Sequence, residues 1–291
     1  MTHGKGEAIA HGAATIVNAI ALGEGAAFGV DLWTKASVEL TDAPPVIKGE
    51  ITSDPAESTL LIGKTVARVF QYFGADTQFG AKVQTSSNIP IARGLKSSSA
   101  AANAVALATV AALTKELDDL AVVNLGVDAA FYAKVTVTGA FDDACASYFG
   151  GIVLTDNLNR KILHRFALPD GLTVLFHVPA KKSYTGDSDV NKLAMVKPFA
   201  QAAFEEAKKG NFWMALTLNG IVYSSALGYD NSVATEALGA GALAAGLCGK
   251  GPAVTAVVPD EKIETVKAAL RNHEGDVIEA HFNSEKARVV T

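Results

Sequence analysis

Residues 88–103 read NIPIARGLKSSSAAAN. Pro90 and Gly94 make a bend, and Gly94-Leu95-Lys96 then runs into Ser97, Ser98 and Ser99. The Ala-rich continuation predicts a helix over 97–114. The start of a helix exposes unpaired backbone N–H groups and the positive end of the peptide dipoles, so it attracts anions. Gly94 lets the backbone approach a ligand closely. The serines add hydroxyl donors, one of which, Ser98, suits a metal ion shared with phosphates. Lys96 adds a cation. The same residues also describe an ordinary serine-capped helix, so the rest of the chain has to discriminate.

Working outward, strands are expected at 26–40, 46–52 and 80–86 from their alternation. Residues 56–73 place Leu60, Leu61, Val66, Val69, Phe70 and Phe73 at mostly helical spacing, and Gly74 is a natural stop. The 97–114 helix carries small residues on nearly every side, which implies burial against a sheet. A shorter helix is expected at 118–132. After Gly150-Gly151 come strands at 151–155, 161–167 and 172–178, then helices at 189–208, 211–227 and 233–244. A strand at 253–258, a helix near 260–272 and a last strand within 276–290 complete the chain. Strands and helices in irregular order give an α+β class. The composition changes near 150–160, at Gly150-Gly151 and DNLNRK, which divides the chain into residues 1–155 and 156–291 as two lobes sharing an interface.

The chain has 291 residues, 49% hydrophobic and 19% charged, with a formal net charge of −5. That composition suits a packed globular protein and excludes disorder. No Lys/Arg run marks a nucleic-acid or anionic-membrane surface. The greasiest stretch, 100–113, is too short to span a bilayer, and the first residues do not read as a secretory signal. Two cysteines, Cys145 and Cys248, fit a reducing, cytoplasmic setting. The six histidines show no zinc spacing.

Two further stretches carry candidate chemistry. Residues 138–151 read TGAFDDACASYFGG, with Asp142 and Asp143 among apolar neighbours. Burial or a neighbouring like charge raises a carboxyl toward the range of a useful general base, and an exposed pair at a turn or helix start is the plainer alternative. Residues 246–254, GLCGKGPAV, hold glycines at 246, 249 and 251 that permit tight turns and close approach. They are expected between a helix and a strand. Gly63-Lys64-Thr65 ends like a P-loop, but that motif requires glycine where Ser58 stands, and the triplet sits inside an amphipathic helix.

Taken together, Pro90, Gly94, Leu95, Ser97 and Ser98 resemble the phosphate loop of the galactokinase, homoserine kinase, mevalonate kinase and phosphomevalonate kinase (GHMP) superfamily. Its usual Gly is replaced by Lys96 and its usual Ala by Ser99. The Gly-Leu-Lys-Ser-Ser-Ser-Ala form is similar to the archaeal shikimate kinase branch, as is the Gly-Ala-x-Thr-Ile-x-Asn-Ala core near Thr15 and Asn18. The aspartate doublet and the 246–254 loop resemble the superfamily's other glycine-flanked motifs in order and position.

The resemblance implies a two-lobed fold, with a ribosomal protein S5 domain 2-like N-terminal lobe over 1–155 and a ferredoxin-like C-terminal lobe over 156–291. It implies ATP and Mg²⁺ as cofactors and transfer of phosphate to a small hydroxylated substrate, shikimate, giving shikimate 3-phosphate for aromatic amino acid biosynthesis. A homoserine kinase, or a binding protein that kept the fold, is the alternative. Nucleotide would be held by Pro90, Arg93, Gly94, Leu95, Lys96, Ser97, Ser98, Ser99 and Ala100, with Ser98 on the metal. The base would be Asp142 by counting from Gly139 or Asp143 by counting back from Gly150, the second being the firmer anchor, with Lys96 stabilising charge. Thr15, Asn18, Lys181, Ser183, Asp187, Gly249 and Gly251 would meet the substrate. Arg93, Lys181 and Lys182 are the candidate cations for its carboxylate, and 181–191 is the candidate lid. The resemblance involves neither nucleic acid nor membrane, and leaves room for a homo-oligomer.

Overall fold

A computed structural model describes residues 4–136, 138–180, 193 and 195–290. The first half is built on a long antiparallel pair, β1 (Lys5–Val17) and β2 (Glu24–Thr41). The far half of β2 pairs with β4 (Gly80–Ser87), which takes β3 (Ile47–Ile51) in parallel at the edge. The near half of β2, Glu24–Phe28, pairs instead with β5 (Ile152–Asp156), and β5 pairs with β6 (Lys161–Phe166). The last strand, β11 (Arg288–Val289), returns to β1, completing a seven-stranded sheet. A second, four-stranded antiparallel sheet runs β10 (Asp276–Ala280), β7 (Leu172–Val178), β9 (Val254–Pro259), β8 (Ala244–Leu247). The boundary expected at 155/156 falls inside the β5–β6 hairpin, so the first sheet runs on to Phe166.

Four helices cover the first sheet: α1 (Leu60–Phe73), α2 (Ser97–Ala112), α3 (Asp119–Tyr132) and α4 (Phe141–Phe149). Helix α2 is the central one. Its Ala, Ser and Thr side chains are small because β1 lies directly beneath it. A methyl group at Gly6 would sit 2.2 Å from the carbonyl oxygen of Ala108, so only glycine fits there. The second sheet carries α5 (Lys197–Lys208), α6 (Phe212–Leu227), α7 (Ser232–Gly239) and α8 (Ile263–Leu270). Helix α6 packs on β8 and also on β1. One apolar core holds Ala14 and Phe28 of the first sheet together with Val174, Phe176 and Val257 of the second and Phe204 and Leu216 of its helices.

The expected elements match in type, with four corrections. Strand β1 was not expected, because its Ala-rich run is buried at nearly every position and shows no apolar–polar alternation, and three of its four β-branched side chains, Thr15, Ile16 and Val17, come only at its end. Strand β8 falls where a helix was expected to continue to 244, and the helix stops at Gly239. The 246–254 glycine loop therefore joins two strands rather than a helix and a strand. The expected 260–272 helix divides into a 3₁₀ turn at Asp260–Lys262 and α8. Residues 189–192 and 194 of the expected 189–208 helix lie outside the described residues.

Candidate active site

The 88–96 loop enters α2 through three positive-φ positions, Ala92, Gly94 and Lys96. Gly94 has φ of +93°, and a methyl group there would lie 2.7 Å from the carbonyl oxygen of Cys248. Lys96 is left-handed with φ of 62° and occupies the N-cap. No side chain caps the helix, so the serines are not the cap that a purely structural role would make of them. Among the described residues the amides of Ser97, Ser98 and Ser99 have no backbone acceptor, and the first intrahelical bond runs from Ala100 to the Lys96 carbonyl. The loop is docked on the β8–β9 hairpin: the Ala253 amide donates to the Arg93 carbonyl at 3.1 Å, and Cys248 Sγ to the Gly94 carbonyl at 3.1 Å.

Helix α4 starts the same way. Gly139 and Ala140 are left-handed, Ala140 is the N-cap, and no side chain caps it. Asp142 and Asp143 occupy its first turn and are 3% and 8% exposed. The two helix starts meet through Lys96, whose Nζ lies 3.1 Å from Asp143 Oδ2. The other carboxylate oxygen, Asp143 Oδ1, is buried without a partner. Asn157 Nδ2 donates to Asp142 Oδ1 at 2.8 Å, and Thr155 Oγ1 holds Asn157 Oδ1 at 2.7 Å. Glycines make room around both groups: a methyl at Gly25 would fall 2.4 Å from Asp142 Oδ2, and one at Gly249 would fall 2.3 Å from Lys96 Nζ.

Burial, and then the neighbouring Asp143 charge, push the Asp142 carboxyl up to about 7 against the opposing pull of Asn157 and Lys96. Burial pulls the Lys96 ammonium down, but Asp143, Cys248 and Asp142 together outweigh it and its net shift is upward. A carboxyl raised in the folded state adds stability below its ordinary value of 3.8. That stability is lost as pH rises toward and through about 7. Asp142→Asn removes this titration. Between pH 4 and 8 the wild-type chain is expected to lose about 1–4 kcal/mol more stability than the variant, measured by urea unfolding at each pH. Equal slopes would show that Asp142 does not titrate in this way.

Both helix starts line a cavity of about 470 Å³. One stretch of its wall is apolar, with Ile51, Leu60, Leu61 and Val135. Hydroxyls from β2 and β4 line another, where Thr34 and Ser87 bond each other at 2.9 Å. Thr15, Asn18, Ala19 and Ile20 line the cavity together with Gly249, Lys250 and Gly251. The Thr15 hydroxyl oxygen is buried without a partner and lies 3.5 Å from the methyl position of Gly249.

Of the expected nucleotide residues, Gly94, Lys96, Ser97, Ser98 and Ser99 line the cavity. Pro90, Arg93, Leu95 and Ala100 do not. Leu95 and Ala100 are packed in the core, and the Arg93 side chain donates to the Pro179 carbonyl. Of the expected substrate residues, Thr15, Asn18, Gly249 and Gly251 line it, whereas Lys181, Lys182, Ser183, Asp187 and the rest of 181–191 lie outside the described residues. Among the described lining residues the cations are Lys96, Lys134 and Lys250. Asn157 and Gly25 were not expected in the site. Asn157 lies in DNLNRK, whose only local signal was a change of composition. Among the described residues no helix is long and apolar enough to cross a membrane, and no cluster of three or more His, Cys, Asp or Glu forms a metal site.

A phosphate-type loop and a carboxylate pair on facing helix starts define a phosphotransferase class of site, and the comparisons agree. The family model for the GHMP kinases N terminal domain matches residues 61–151. Shikimate kinase from Methanosarcina mazei is 44% identical over 285 residues, covering 97% of this chain and 96% of that protein. Shikimate kinase from Pyrococcus abyssi is 43% identical over 268 residues, covering 89% and 94%. In fold the chain is similar to homoserine kinase from Cytophaga hutchinsonii, with a TM-score of 0.77 at 18% identity over 98% of this chain and 97% of the other. The galactokinase of Lactococcus lactis gives 0.79 at 14% identity over 99% and 95%. The chain belongs to the GHMP kinases, in their archaeal shikimate kinase family.

Proposed function

We propose that the chain transfers the terminal phosphoryl group of ATP to a hydroxyl of shikimate, giving shikimate 3-phosphate. The observation that carries this reading is the 3.1 Å contact of Lys96 Nζ with Asp143, which joins an uncapped helix start to a carboxylate doublet across one cavity. The substrate rests on the shikimate kinases that share over 40% of its residues along nearly their whole length. Both halves of the chain contribute: the phosphate loop and the doublet come from before residue 155, and Gly249–Gly251 from after it.

The unpaired amides of Ser97–Ser99 and the dipole of α2 bind the polyphosphate. The apolar stretch with Leu61 and Val135 accepts the nucleotide base. Asp143, with its free Oδ1, receives the proton of the attacking hydroxyl. The acceptor oxygen bonds to the γ-phosphorus as the bond to the ADP oxygen breaks. Lys96 neutralises charge that spreads over the transferring group. Thr15, Asn18 and the 249–251 loop line the cavity beside the doublet and suit the acceptor's hydroxyls. Lys250 is the described cation on that loop for its carboxylate.

The donor set also fits Mg²⁺. It is all oxygen, with the Ser98 hydroxyl and one carboxylate as ligands, and so few protein ligands match a cation that keeps waters and phosphate oxygens. When bound, that ion would neutralise phosphate charge. The two cysteines are buried and free, which agrees with a reducing cytoplasmic setting.

The test is an ADP-release assay with a panel of alcohols, among them shikimate, homoserine and mevalonate. Shikimate is expected to be the one turned over. Turnover of homoserine or mevalonate without shikimate would overturn the substrate, and ATP binding without turnover of any alcohol would overturn the reaction.

A further inference from the structure

Asn18, Ala19 and Ile20, on the acceptor side of the cavity, sit on a short turn, 18–23, between β1 and β2, just beyond Thr15 at the end of β1. Two side chains of α6, some 200 positions away, hold that turn. Asn219 Oδ1 accepts the Asn18 amide at 2.9 Å. The Tyr223 hydroxyl donates to the Asn18 carbonyl at 3.1 Å and accepts the Ala21 amide at 3.3 Å. Asn219 and Tyr223 are 1% and 0% exposed and do not line the cavity. Burial pushes the Tyr223 hydroxyl up to about 12, so it keeps its proton at neutral pH. On its other side the turn meets the carboxylates. The Asn157 amide donates to the Gly23 carbonyl at 2.8 Å, and the same residue's side chain holds Asp142. Ala19 also lies against Gly25, at 3.0 Å from its methyl position, next to Asp142.

We infer that Asn219 and Tyr223 are positioning residues for the acceptor: they fix the 18–23 turn, and through it Asn18 and Thr15, relative to the aspartate doublet. This rests on the reading of that wall as the acceptor's. A buried hydroxyl that bridges an amide and a carbonyl of one turn specifies that turn more narrowly than apolar packing does. Ile20, Ala21 and Leu22 also pack on the apolar cluster of Ala200, Tyr223 and Leu247, which keeps the segment folded. Losing the polar bonds therefore loosens the turn without unfolding it.

The test uses Tyr223→Phe, which keeps the ring, and Asn219→Leu, with Asn219→Asp as the conservative partner that retains an acceptor. In Tyr223→Phe and Asn219→Leu the KM for the acceptor is expected to rise about 5- to 20-fold, while the KM for ATP stays within twofold. Asn219→Asp is expected to recover most of the loss. Hydrogen exchange at the Asn18 and Ala21 amides is expected to accelerate, with α2 and α4 unchanged. A fall in the amount of active protein with both KM values unaltered, or equal rises in both, would overturn the inference. Turnover of an alcohol other than shikimate by the wild-type chain would instead overturn the substrate reading, and the KM split would be read with that alcohol. Unchanged exchange at Asn18 and Ala21 would sink the positioning role whatever the acceptor is.

Discussion

Asp143→Asn is expected to lower kcat by about 10²- to 10⁴-fold while leaving the KM for ATP within a few-fold of wild type. An amide at 143 is close in shape to the carboxylate, and its oxygen still accepts from Lys96. It cannot take a proton. Asp142→Asn is expected to be much milder in kcat, because Asp142 already accepts from Asn157, lies against Gly25 and is pushed up to about 7 by its burial. Its neighbour keeps one oxygen on Lys96 and one without a partner. Steady-state kinetics on the two variants separate the roles. A severe loss in Asp142→Asn with near-normal turnover in Asp143→Asn would reverse the assignment.

Lys96→Met is expected to reduce kcat by about 10²- to 10³-fold, the cost typical of removing one preorganised charge from a developing anion. Methionine preserves most of the side-chain volume and removes the ammonium. The change also strands the Asp143 carboxylate, since Lys96 and Asp143 side chains are each only 11% exposed and an uncompensated buried charge is costly. Lys96→Arg is the informative companion. It keeps the charge, but the added bulk meets the wall where Gly249 leaves no room even for a methyl group. Little recovery is therefore expected in Lys96→Arg, and turnover near wild type would show that the wall at Gly249 admits the larger cation. Rapid-quench measurement of the chemical step distinguishes a slowed transfer from slowed product release.

What could be read from the chain follows from where the physics is local. The phosphate loop announces itself because an anion site at a helix start needs glycine, serine and a helix-forming run within a dozen residues. Helix α2 was readable from its small residues for the same reason that β1 was not. Both are small because they press on each other, and a helix of alanine keeps its propensity whereas a strand of alanine and glycine does not. The aspartate doublet was visible as a pair, but its choice of partners was not. Lys96 meets Asp143 from 47 positions away, and Asn157 reaches Asp142 only because β5 pairs beside β2. Asn219 and Tyr223 carry no local mark at all, since their partners are set by the packing of α6 against β1. Arg93 shows the opposite failure. It sits inside the motif, yet its side chain turns to the Pro179 carbonyl rather than to the cavity.

The transferring phosphate is expected between the start of α2 and the α4 doublet, and every role assigned to Lys96 and Asp143 depends on that position. A crystal structure with a non-hydrolysable ATP analogue, Mg²⁺ and shikimate measures this directly. The expected result has the terminal phosphate on the amides of Ser97–Ser99, with a shikimate hydroxyl within about 3.5 Å of the γ-phosphorus and within hydrogen-bond reach of Asp143. Triphosphate bound away from the Ser97 helix start, or an acceptor that does not approach either aspartate, would contradict it.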